Sequence, residues 1–234
     1  MAAFAAFCSL GVWQVQRRAW KLALIERVEA RVHAPPVAAP DPAAWPAITA
    51  VRDEYRHVRV TGCFEGPSTF VQATTRLGAG FWALTPFRTG GHYLVLVNRG
   101  FVTPERRDEG ERANGERCDE TTVTGLLRMT EPLGAFLRSN DPAAGRWYSR
   151  DVAAIAAARG LGPVAPYFID ADAGGGDGAP IGGLTVIAFP NNHAVYAVTW
   201  FVLALLVAGG SVYAAMSAAR QPALRPASGS SAEA

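Results

Sequence analysis

Two apolar stretches bracket a middle built of short alternating runs. The longer stretch, Ala194 to Met216, carries no charged side chain. At a helical rise of about 1.5 Å per residue, about 23 residues cover about 34 Å, enough to cross a bilayer core of roughly 30 Å. A C-terminal transmembrane helix is therefore predicted over 190–218, starting at the polar group Pro190-Asn191-Asn192-His193. The Pro-, Ala- and Ser-rich tail over 219–234 reads as disordered and cytoplasmic. The N-terminal stretch, Met1 to Val15, is apolar but short for a span. Arg17, Arg18 and Lys21 follow it, with Trp13 and Trp20 as interfacial anchors. It has no basic n-region and a poor cleavage site, unlike a secretory signal. An N-terminal transmembrane or anchor helix is predicted over 1–32, with the first part of its span upstream of Met1. The other reading is an interfacial helix that never crosses.

Between these ends lies a domain, 33–189, large enough for its own core. The first helix should run on through Leu22, Leu24, Ile25 and Val28 and stop before Pro35-Pro36. Residues Ala34 to Pro46 read as a semi-rigid spacer. Strands are predicted at 57–60, 69–75, 81–87, 93–97 and 121–129, with a further return near 166–169. Thr89-Gly90-Gly91-His92 suits a hairpin turn. Asp151 is placed to cap a short helix, Val152 to Arg159, closed by Gly160. Strands joined by tight turns argue for an antiparallel sheet or small barrel. The expected class is an α+β membrane protein, with two transmembrane helices flanking an extracytoplasmic, antiparallel β-rich domain.

Charge orients this arrangement. Arg220 and Arg225 follow the second span, and no Lys or Arg lies between Arg159 and Arg220. That asymmetry puts the tail in the cytoplasm and the preceding domain outside, whereas Arg17, Arg18 and Lys21 favour the opposite sense for the first span. The net charge of +2 gives no argument for a nucleic-acid partner. Three cysteines, Cys8, Cys63 and Cys118, show no metal-binding spacing. Cys63 and Cys118 can pair in an oxidising compartment, although two separate thiols is the plainer expectation.

His193 is the sharpest chemical candidate. In a helix starting at Pro190, Tyr196 and Ala197 lie one turn beyond it and Trp200 two turns. An imidazole above aromatic and small side chains can receive a flat apolar macrocycle and ligate its iron. Spacing alone favours the plainer role, in which Asn191, Asn192 and His193 cap the helix and bond headgroups. Arg99, in Asn98-Arg99-Gly100, can bind an anion or carboxylate, though a structural hydrogen bond is the simpler role. The glycine loop 173–178 lacks the features of a phosphate cradle. No Ser-His-Asp arrangement, HExxH motif or GxSxG elbow is present, and Asp151 and His57 give weak support to a membrane-anchored enzyme.

Several segments in order carry a family resemblance. They are Leu10-Gly11-Val12-Trp13-Gln14 with Arg17, Trp20-Lys21, Tyr55-Arg56 and Gly62. Gly80 with Thr85-Pro86, Leu96 to Val102, and Gly125 to Arg128 with Glu131 follow. Trp147-Tyr148 with Asp151, then Asn192-His193 with Tyr196-Ala197 and Thr199-Trp200-Phe201, complete the series. Over nearly its whole length the chain resembles the Surfeit locus protein 1 (Shy-type) family of cytochrome c oxidase assembly proteins. The resemblance implies two spans around an extracytoplasmic domain in the bacterial inner membrane. It implies an assembly role without catalysis, in which haem a is bound transiently and helped into the oxidase. Partners would be the catalytic subunit, the enzyme that donates haem a, and the bilayer. His193 would be the metal ligand, with Tyr196, Trp200 and Trp13 lining the cofactor site. The alternative is a scaffold that stabilises the unfinished oxidase subunit without binding haem.

Overall fold

The computed structural model describes residues 2–107, 119–135, 138–174, 180–185, 187 and 189–220. The chain divides into two compact units, one joining the residues up to Ile25 with those from Phe189 on, the other running from Glu26 to Ala188. The first unit holds the apolar part of helix α1 (Ala2–Val32) and helix α4 (His193–Arg220). Of the helices among the described residues, α4 is the one long and apolar enough to cross a membrane. The chain is thus α+β, with a β-rich domain and one apolar helix of spanning length.

The second unit is built on seven strands, β1 (Val37–Ala38), β2 (His57–Phe64), β3 (Thr69–Thr75), β4 (Gly78–Thr89), β5 (Leu94–Val102), β6 (Thr121–Met129) and β7 (Val164–Ala171), with the short helix α2 (Ala50–Asp53) ahead of β2. They follow the order β1-β2-β6-β7-β5-β4-β3, and β2 also pairs with β4. That extra pairing closes β2, β6, β7, β5 and β4 into a five-stranded barrel. The seam falls at Gly62, opposite Thr89 on β4 and Thr121 on β6. A Cβ at Gly62 would lie 2.0 Å from the Arg88 carbonyl oxygen, so the two strands can meet there only without a side chain.

The sheet is mixed, which corrects the antiparallel expectation. The β5–β7 and β1–β2 pairs are parallel. The first arises because β7, after a connection that carries helix α3 (Val152–Arg159), inserts between β5 and β6, antiparallel to β6 and therefore parallel to β5. Asp151 caps α3 by accepting from the Ala154 N–H at 3.1 Å, and Gly160 ends it in the left-handed region.

Residues facing inward alternate along the strands: Val58 and Val60, Val95 and Val97, Val123 and Leu127, Tyr167 and Ile169 form one buried cluster. A second cluster, including Leu84, Leu96, Trp147, Ile155 and Phe168, packs α3 onto the outer face. The expected spacer 34–46 does more than separate. The Ala39 N–H donates to the Arg59 carbonyl at 3.0 Å, the Tyr167 hydroxyl donates to the Pro40 carbonyl at 2.7 Å, and Trp45 and Ile48 pack on the barrel core. Proline removes donors but leaves carbonyls, and the buried Tyr167 uses one of them. Burial pushes its phenol well above the ordinary value. The segment therefore closes one end of the barrel.

Charge is buried on the outer face beside α3. The Asp170 side chain is 3% exposed and meets Arg128 at 2.9 Å and Arg150 at 3.1 Å. Asn98 and Thr185 also donate to it, at 2.8 and 2.9 Å. Glu54 and Glu131 take the remaining faces of the two arginines. Burial raises the Glu131 pKa, but hydrogen bonds and charge from Arg150 reverse this and leave it below the ordinary value.

His57 joins the segment after α1 to the sheet. Its Nδ1 lies 2.9 Å from the Ala34 carbonyl and its Nε2 2.9 Å from an Asp172 carboxylate oxygen. Both neighbours are acceptors, so the arrangement favours the protonated ring, which donates from both nitrogens. Burial opposes the charge, but the Asp172 and Ala34 bonds outweigh it and raise the pKa. Cys63 on β2 is disulfide-bonded and Cys8 is free, so the expectation of separate thiols fails at Cys63. Cys118 lies outside the described residues, as do residues 175–178 of the glycine loop and 221–234 of the tail.

Two outcomes test these buried charges. Asp170→Asn leaves two arginines short of a carboxylate and should lower the stability of the domain by about 3–5 kcal/mol. Guanidinium denaturation followed by near-ultraviolet circular dichroism measures this, and a loss under about 1 kcal/mol contradicts it. For His57 the folded pKa lies above the unfolded 6.5. Its stabilisation is therefore complete below that unfolded value and lost as pH rises through the higher folded one. Denaturation midpoints between about pH 5.5 and pH 8.5 should fall on the alkaline side in the wild type, with a shallower fall in His57→Gln.

Candidate functional site

Helix α4 starts at His193, three residues later than the proline that heads the segment, with the Tyr196 N–H reaching the Asn192 carbonyl at 3.3 Å. Its face toward α1 follows helical spacing: Ala197 is 6% exposed and Ala204 2%. The Phe201 ring fills the space over Gly11, where a Cβ would lie 2.6 Å from it. Trp200 stacks on Phe7 of α1, with ring centroids 5.7 Å apart and planes at 22°. The small residues further along contribute unequally. Ala204 is packed, whereas Gly209 and Gly210 face open space.

His193 sits at the polar end of this helix pair. Its Nδ1 lies 2.7 Å from Oε1 of Gln14 on α1. The amide oxygen can only accept, so the ring donates through Nδ1 and the neutral imidazole keeps its lone pair on Nε2. Gln14 is 8% exposed, a buried polar residue on an otherwise apolar helix face. Two further polar atoms in the same unit are buried without a partner among the described residues: the Trp200 indole N–H and the Asn191 side-chain oxygen. Farther along α1, Arg17 lies over the Trp20 ring at 4.1 Å.

The four residues singled out from sequence are not gathered in one place. His193 and Trp200 both face α1, two turns apart. Tyr196 and Trp13 stand more than half exposed on the surface of the unit. Gln14 is the residue that sequence reasoning passed over as a contact. It stood in the quoted Gly-Val-Trp-Gln run, and a lone glutamine among apolar neighbours was the available signal. Asp151 and His57, the candidates for an enzyme, are committed to a helix cap and to a two-acceptor clamp. Among the described residues no three His, Cys, Asp or Glu side chains converge to hold a metal.

A family model for SURF1 matches residues 1–205. Surfeit locus protein 1 from Homo sapiens is 38% identical over 216 residues, covering 83% of this chain and 69% of that protein. The Xenopus tropicalis protein of the same name is 36% identical over 214 residues, covering 83% of this chain and 67% of its own. A SURF1-like protein from Monosiga brevicollis is 35% identical over 214 residues, covering 84% of this chain and 78% of its own. With the match running from the first helix through His193 and into α4, the chain belongs to the SURF1 family.

Proposed function

We propose that this protein is a membrane-anchored assembly factor for cytochrome c oxidase that receives haem a and assists its insertion into the catalytic subunit. It acts as a carrier and not as a catalyst. The observation that carries this reading is the His193–Gln14 hydrogen bond, which directs the imidazole lone pair to Nε2. Histidines that ligate metals commonly donate their other ring proton to an acceptor in this way. A single protein ligand also suits a metal that arrives inside a macrocycle. When bound, the haem would supply an iron that accepts an imidazole nitrogen.

The chain's own residues divide the task. His193 would hold the iron through its Nε2, and Gln14 fixes the tautomer and ring orientation. The exposed rings of Tyr196 and Trp13 offer apolar surface for a macrocycle, and the unpartnered Trp200 N–H offers a donor. Two spans around an extracytoplasmic domain in the bacterial inner membrane complete the proposal. The disulfide at Cys63 supports an oxidising compartment for that domain, and Arg220 at the end of α4 supports a cytoplasmic C-terminus.

Protein purified in detergent from cells that make haem a should show a Soret band. His193→Ala should abolish it, and Gln14→Leu should weaken binding by about 10- to 100-fold. A wild type without the band, or a His193→Ala variant with the band intact, would favour a scaffold that stabilises the oxidase subunit without haem. For the topology, Leu77 is an exposed position on the β domain. In intact cells with a permeabilised outer membrane, Leu77→Cys should react with a membrane-impermeant thiol reagent. Labelling only after lysis of the inner membrane would reverse the proposed orientation.

A further inference from the structure

The arginines of the β domain contrast sharply in their partners. Arg56, Arg88, Arg128 and Arg150 each reach a carboxylate within hydrogen-bond distance. Arg99 reaches none among the described residues; its guanidinium lies 4.7 Å above the ring of Phe64. Its position follows from an irregularity in β5. Asn98 pairs with Leu84 and Phe101 with Trp82, so β5 carries one residue more than β4 over that interval. Gly100 takes a positive φ of 133° in the bulge. Asn98 is thereby turned to Asp170, and Arg99 to the opposite side, beyond Val95 and Val97 of the barrel interior.

Arg99 lines a cavity of about 390 Å³ at the barrel end opposite the one closed by the segment after α1. Phe64, Thr122, Val123, Ala171 and Asp172 share the wall. Phe64 and Ala171 pack on the barrel core, which gives the cavity an apolar floor. Asp172 is spoken for by His57 at 2.9 Å, so the two cancel and, among the described residues, the guanidinium is left as the uncompensated charge. Burial pulls the Arg99 pKa below its ordinary value, yet a guanidinium stays ionised at neutral pH. One forked cation over an apolar floor, with threonine beside it, suits a planar monoanion with a hydrocarbon attachment. A dianion such as phosphate would need a second cation and would approach the Asp172 carboxylate.

We propose that this barrel mouth binds a monocarboxylate on a short apolar stem, with Arg99 pairing to the carboxylate and Phe64, Val123 and Ala171 receiving the stem. The site is independent of haem and of His193.

Saturation-transfer NMR on the detergent-solubilised full chain, with butyrate as the probe, tests this. Butylammonium controls for partitioning into detergent, and inorganic phosphate serves as a competitor. Butyrate should receive saturation and butylammonium should not, and phosphate should compete poorly. Arg99→Gln keeps polarity and length while removing the charge, and should cut the butyrate signal at least about fivefold. Arg99→Lys keeps the charge without the fork and should retain an intermediate signal. A butyrate signal that survives Arg99→Gln, that butylammonium matches, or that is absent from the wild type overturns the proposal. Displacement by phosphate at concentrations comparable to butyrate overturns the carboxylate assignment.

Discussion

A carboxylate almost sealed from solvent, that of Asp170, ties together more of the β domain than any apolar contact can. It accepts from Asn98 on β5, Arg128 on β6, Arg150 ahead of α3 and Thr185 beyond β7. Taking such charges out of water costs several kcal/mol per ion, so the arrangement holds only when the lone pairs are met together. The two arginines in turn engage Glu54 and Glu131, which brings the turn before β2 and the loop after β6 into the same network. Apolar packing between these elements would tolerate a slip along the strands. A fork-shaped cation against a fixed carboxylate does not, and so the network specifies register as well as adhesion. The parallel β5–β7 pair is the place where this matters most. Its register shifts within the pair, and Asn98 lies directly opposite Asp170.

Closure of the barrel follows from the same register. With β7 held between β5 and β6, β2 can reach β4 at its far end, and the glycine at position 62 allows that contact. One end of the barrel is then filled by Trp45, Ile48 and the Tyr167–Pro40 bond. The other end holds Phe64, Val123 and a guanidinium with no counter-ion among the described residues. The two ends are therefore chemically unlike. One is tied off by the protein's own chain and the other presents unspent charge.

Much of this was legible beforehand, and for physical reasons. Periodicity located β2 to β7 because one face of each strand meets the barrel core. The cap and stop at Asp151 and Gly160 marked α3 because their chemistry is local. The parallel β5–β7 pair was not legible, since the direction of a returning strand depends on a crossover and not on its own residues. The segment 34–46 was misread as a spacer because its contribution is carbonyl oxygens, which every residue has and no composition reveals. Pairing at Cys63 is a fact of three-dimensional proximity, and the positions of three cysteines along the chain left both a bridge and separate thiols open. At the candidate site the histidine was legible from its place at the head of an apolar helix. Its partner Gln14 was not, because the pairing is made between segments 179 residues apart.

That pairing bears on what a carrier needs. Histidine ligands that must hold a metal permanently are often backed by a carboxylate, which adds negative charge and raises the basicity of the ligating nitrogen. Here the acceptor behind His193 is a neutral amide. It orients the ring and selects the tautomer as a carboxylate would, but lends less electron density to Nε2. In a low-dielectric setting it also avoids the cost of burying an anion beside an apolar helix. In the proposed carrier role, His193 would be a ligand that is well aimed and only moderately strong. Firm orientation with modest affinity is the combination that lets a bound group be received and then surrendered. The replacement of amide by carboxylate at position 14 would accordingly trade release for retention.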